Sequence, residues 1–125
     1  ELADRIGALI DETQPSLIVT HYPGYAVHPD HNALGAAVVR AVSRLDENAR
    51  PKVYCHAFSE NTKEDLGEPD VINDVRDVLD KKIAALKAHG SQTQLLVSKL
   101  SEEAPENDPE LIKWLGYERF WIYDV

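Results

Sequence analysis

With 125 residues, 43% of them apolar, the chain can build one core and still leave a charged surface. Its 22 acidic residues outweigh 13 basic ones for a formal charge of −9, and Lys and Arg form no cluster. The electrostatic attraction behind most nucleic-acid affinity, and behind binding to an anionic membrane, is therefore missing, so neither is expected as a partner.

The chain opens on Leu2, Ile6, Leu9 and Ile10 at helical spacing with no capping residue ahead of them, and so reads as cut at its amino terminus. Pro15 cannot continue the helix, and Leu17 to Thr20 follows as a short strand whose unbroken apolar run predicts burial on both faces. His21 to Pro29 is irregular and leaves the carboxyl end of that strand, where ligand sites of open α/β sheets collect. Asp30 is the expected cap of a helix carrying Leu34, Ala37, Val38, Ala41, Val42 and Leu45 on one face. Gly35 in its first turns costs about 1 kcal/mol relative to Ala, which points to a close approach of backbone or ligand there.

Lys52 to Phe58 is the next expected strand. Its Cys55 is the single cysteine and reads as a core thiol, in keeping with a reducing, cytoplasmic compartment. Ser59 to Pro69 reads as a lid or an edge loop, Val71-Ile72 as a short strand, and Val75 to His89 as a helix stopped by Gly90. Leu95, Leu96 and Leu100 suggest a further helix before an acidic surface connection. Pro109 to Leu115 is a helix ended by Gly116, and Arg119 to Tyr123 a closing strand, with Trp114, Phe120 and Trp121 expected in a core or an interface. The alternation implies one α/β domain, or part of one, over residues 1–125.

Chemistry concentrates at His28-Pro29-Asp30-His31, where two imidazoles and a carboxylate fall within four residues on a stiff turn. A catalytic zinc takes about three protein ligands and an open position, and imidazole suits it. One histidine could bind metal while the other, held by Asp30, works on substrate. On spacing alone, polar loop residues with a helix cap read the segment at least as well. His21, Tyr22 and Tyr25 beside this turn could line a ligand pocket, the tyrosines through ring faces and hydroxyls, and could equally serve ordinary loop packing.

Three landmarks carry a resemblance. Thr20 to Ala41, above all His28-Pro29-Asp30-His31-Asn32-Ala33-Leu34-Gly35, resembles the second signature of the LmbE/PIG-L family of zinc-dependent N-deacetylases. Lys82 to Gln92 resembles that family's later Lys-helix-His-x-Ser-Gln element, and Glu118-Arg119-Phe120 falls near its end. Tyr22 to Val27 and Cys55 to Ser59 are similar, more narrowly, to the bacillithiol-biosynthesis branch. The resemblance implies a Rossmann-like, three-layer fold with a mostly parallel sheet, lacking its first βα unit. It implies hydrolysis of the acetyl group of an N-acetylglucosaminyl conjugate, N-acetylglucosaminyl malate in the narrower case, with Zn2+ as cofactor. His31 would be a zinc ligand. His28, protonated and oriented by Asp30, would stabilise the tetrahedral oxyanion, while His89, Ser91 and Gln92 would hold the helix end and the active-site loops.

The chain departs from the family in lacking the first signature, a His-Pro-Asp-Asp-Glu run that supplies a His and an Asp to the metal and an Asp as general base. Two readings follow. The chain is part of a deacetylase, associating with further copies or with a complementary amino-terminal half, or it is a noncatalytic binding and assembly module. A dinucleotide-binding domain is disfavoured, because no Gly-rich loop follows a strand.

Overall fold

A computed structural model describes residues 1–89 and 108–125. These form two compact units, one of Glu1–Val71 with Arg119–Val125, the other of Ile72–Glu118. The expected Gly90 stop, the helix around Leu95 to Leu100 and most of the acidic connection lie outside the described residues.

The first unit begins with α1 (Leu2–Thr13). Ala3 and Ile10 are its buried positions, whereas Leu2 and Leu9 stay exposed. Gln14 ends the helix in the left-handed region, at φ 47°, and returns its N–H to the Ile10 carbonyl at 2.8 Å. After Pro15 the chain enters β1 (Leu17–His21), crosses through α2 (Pro29–Ser43), and returns as β2 (Lys52–His56). β1 and β2 pair in parallel, from Leu17 opposite Lys52 to His21 opposite His56. This is the pairing a helical crossover permits and a tight hairpin does not. The short α3 (Thr62–Leu66) interrupts the expected loop, and β3 (Val71–Asp74) follows.

Near the end of the chain β4 (Tyr117–Ile122) lies antiparallel to β2, with Tyr54 opposite Ile122 and Cys55 opposite Trp121. The four strands run in the order β1-β2-β4-β3. The sheet is therefore mixed, where a mostly parallel one was expected.

One face of the sheet carries the core. Val38, Ala41 and Val42 of α2 meet Val53 and Cys55 of β2, with Ala3 and Ile10 of α1 completing the cluster. Asp4 and Arg44 tie α1 to the end of α2 at 2.6 Å, and that bond is the main reason the Asp4 carboxyl titrates lower than usual. On the opposite face Phe120 is buried against Tyr54 and His56, whereas Leu17 is 42%, Val19 52% and Ile122 43% exposed. This corrects the expectation that β1 is buried on both sides. An apolar run records that a strand can be covered on two faces, and only a second layer makes it so.

Trp121 is buried and donates its indole N–H to the Gly67 carbonyl at 3.1 Å. Cys55 is fully buried, and burial pushes its thiol up to about 11. At pH 8 only about one molecule in a thousand then carries the reactive thiolate. Iodoacetamide should leave the folded chain unlabelled and label it once denatured; rapid labelling of the native chain would show that the thiol is open to solvent.

The second unit joins a turn at Arg76–Val78 to α4 (Leu79–Ala88) and α5 (Pro109–Leu115). Leu79, Ile83, Leu111 and Leu115 form its core. Asp108 caps α5 by accepting the Glu110 N–H at 2.9 Å, with Pro109 at the first helical position as expected. Lys82 of α4 donates to the Leu115 carbonyl at 2.8 Å and pairs with Glu118 at 2.7 Å. Arg76 holds the Asp74 carboxyl down near 2. Trp114, expected in a core or an interface, is 56% exposed, because the buried side of α5 is taken by Leu111 and Leu115. Among the described residues no helix is long and apolar enough to cross a membrane.

Candidate active site

The carboxyl end of β1 and the amino end of α2 bring three histidines together. Gly35 makes this possible. A Cβ at that position would overlap the His21 carbonyl oxygen and stand 3.4 Å from the Pro23 nitrogen, so α2 can lie against the end of β1 only with glycine there. With the helix so close, the His21 and His31 rings stack face to face, 4.3 Å between centroids and 6° from parallel. His28 joins them at 5.3 Å from the His31 ring.

His28, not Asp30, is the N-cap of α2. Pro29 takes the first helical position, which suits its fixed φ and missing N–H, and so pushes Asp30 into the first turn. The Asp30 N–H donates to His28 Nδ1 at 3.1 Å. The Asp30 carboxylate lies 3.8 Å from that same nitrogen, within ion-pair range of a protonated ring and too far for a hydrogen bond. Since Nδ1 accepts, the neutral ring carries its proton on Nε2, and an Nε2–H is a donor available to an oxygen of a bound molecule.

His21 is half-buried, and its Nδ1 is buried without a hydrogen-bond partner among the described residues. Burial first, and then the neighbouring His31 and His56, lower its pKa, so the ring is neutral at pH 7. Tyr22 packs against the core, edge-on to Tyr25 at 5.4 Å and tilted on Tyr123 at 5.1 Å. Tyr25 donates its hydroxyl to Asp65 at 3.1 Å, which raises its pKa and ties the loop after β1 to α3. The Tyr25 carbonyl also accepts from Phe58 and Ser59 at 2.7 and 3.0 Å.

His89 belongs to the second unit, where its N–H closes α4 on the Leu86 carbonyl at 3.1 Å. Ser91 and Gln92 lie outside the described residues. The sequence reading missed Asn32, whose Oδ1 accepts the N–H groups of both Gly24 and Ala26 at 3.0 Å. It also missed Asp65. Neither had a local signal, because each partner is many residues away.

The donor chemistry of this cluster suits a borderline metal such as zinc, yet among the described residues no three His, Cys, Asp or Glu side chains are placed to hold one ion. His31 is exposed beside two further imidazoles and could hold one position. A catalytic zinc needs about two more protein ligands than that.

No family model matches the chain. The class comes from relatives: over 98% of its length the chain is homologous to curated bacterial proteins named as deacetylases of an N-acetylglucosaminyl conjugate. It is 47% identical over 122 residues to the Bacillus cereus protein named "Probable N-acetyl-alpha-D-glucosaminyl L-malate deacetylase 2". Proteins of the same name from Bacillus subtilis and Bacillus anthracis are 45% identical over 122 residues and 44% over 123. The chain spans 56%, 55% and 54% of these relatives' own lengths.

Proposed function

We propose that the chain carries part of the active site of a zinc-dependent deacetylase that hydrolyses the acetamide of an N-acetylglucosaminyl conjugate in the cytoplasm. N-acetylglucosaminyl L-malate is the substrate that the relatives' names suggest. The observation that carries this reading is the meeting of His28 and His31 at the amino end of α2, just beyond the carboxyl end of β1, with the Nε2–H of His28 left free to donate. His31 holds the metal. His28 donates to the oxygen that gains charge as the amide carbon becomes tetrahedral, and Asp30 steadies His28 through its backbone amide. The loop of Tyr22 and Tyr25, tied to Asp65, borders the sugar.

The remaining metal ligands and the general base come from polypeptide outside these 125 residues, within a Rossmann-like LmbE/PIG-L layering. The chain by itself is then inactive. Association with that polypeptide, or with a second copy, fits the exposed Leu17, Val19 and Ile122 side chains and the place of β1 at the edge of the sheet among the described residues, since exposed apolar side chains and an edge strand favour partners.

Intact mass, zinc content and acetate release, measured on one native preparation, test this reading. A second polypeptide with about one zinc per pair and acetate release supports it. An assembled preparation that holds a second polypeptide but neither zinc nor turnover favours the noncatalytic assembly module instead. In an active preparation His31→Ala should lose the metal, and full zinc occupancy in that variant would remove His31 from the ligand set.

A further inference from the structure

We propose that Asn32 is a positioning residue for His28, holding the strained turn that aims this side chain; the catalytic part of the proposal rests on the role of His28 given above. The turn is unusual. The His28 N–H donates to the Ala26 carbonyl at 2.7 Å, closing three residues around Val27, whose φ is 65°. A β-branched side chain is disfavoured in the left-handed region, and three-residue turns with positive φ at the centre are rare and strained. Such a turn persists only where its surroundings over-determine it. Val27 is 70% exposed, so its own packing does not hold it.

Asn32 grips both ends of this turn. On the near side its Oδ1 accepts the N–H groups of Gly24 and Ala26, each at 3.0 Å. Both partners are donors, so the side-chain oxygen faces them and both of its lone pairs are used. Ala26 is almost fully buried, where its amide needs such a partner. On the far side the Asn32 N–H donates to the His28 carbonyl at 3.1 Å, the first backbone bond of α2. One residue on the helix thus fixes the entry and the exit of the turn, and with them the starting point of the His28 side chain. Without the Oδ1, Val27 can relax to a negative φ, and His28 would move with it.

Two variants separate positioning from folding. Asn32→Leu keeps the branched shape and removes the acceptor, while Asn32→Asp keeps an acceptor. On the native protein, amide exchange at Gly24, Ala26 and His28 is read by NMR beside kcat, KM and zinc content with N-acetylglucosaminyl L-malate. We expect Asn32→Leu to speed exchange at the three amides about tenfold or more and to lower kcat by about tenfold, with KM and zinc content little changed. Asn32→Asp should restore both readouts. Unchanged exchange or unchanged kcat in Asn32→Leu overturns the proposal, as does an Asp variant that fails as badly as the Leu variant. A preparation that holds zinc together with the complementary polypeptide and still shows no turnover sinks the deacetylase reading separately, and the exchange data then decide the clamp alone. Should Asn32→Leu fail to fold, Asn32→Ala carries the same comparison.

Discussion

Gly35→Ala should lower the stability of the protein by about 1–2 kcal/mol, although alanine is the better helix former. Two effects oppose one another. Replacing glycine inside a helix gains about 1 kcal/mol of propensity. Forcing a methyl group into a filled contact costs typically 1–3 kcal/mol, and more where the obstructing atom is backbone. Here the obstruction is the His21 carbonyl oxygen, which cannot rotate aside as a side chain would. The helix must lift from the end of β1, carrying His31 off the His21 ring. Thermal unfolding should report a midpoint lower by several degrees, at roughly 3–5 °C per kcal/mol for a chain of this size. A midpoint that rises would mean that α2 does not approach β1 this closely.

His28→Ala should reduce acetate release roughly 10²–10³-fold in an active preparation while leaving zinc bound, the loss found when one donor to a developing oxyanion is removed. The size of the effect depends on Nε2. Because Nδ1 accepts the Asp30 amide, the neutral ring already presents a proton on Nε2, and His28→Gln, which can offer an amide N–H instead, should recover part of the activity. Turnover unchanged in His28→Ala would take His28 out of the mechanism. Loss of zinc together with turnover would instead make His28 a ligand.

Much of this arrangement is legible in the sequence where a residue's local cost or periodicity speaks. The i, i+3, i+4 spacing of Val38, Ala41 and Val42 marks the buried side of α2, which all three occupy. The glycine penalty at position 35 points to a close approach, and the His21 carbonyl is what approaches. Pro109 and Gly116 delimit α5 as expected. Failures come where the outcome depends on distant partners. Leu17 to Thr20 is apolar throughout, yet one side of β1 is open, because covering a strand is a property of the next layer. Asp30 has a capping side chain, but Pro29 fixes the helix start and gives the cap to an imidazole. Asn32 shows nothing in its neighbourhood to announce bonds to residues six and eight positions back.

Two of the three sequence landmarks that suggested a deacetylase lie far apart along the chain, and the pairing of Lys82 with Glu118 joins them. Lys82 also closes the carboxyl end of α5 through the Leu115 carbonyl. Its side chain is 23% exposed and that of Glu118 33%, so the pair is partly shielded from salt, unlike the exposed ion pairs of the surface. Seen as inheritance, the two landmarks amount to one character. Loss of Lys82 leaves the half-shielded Glu118 carboxylate and the Leu115 carbonyl without this donor, whereas loss of Glu118 leaves Lys82 its bond to Leu115, so a change at 82 should cost more than one at 118, and thermal unfolding of the two single variants checks the order.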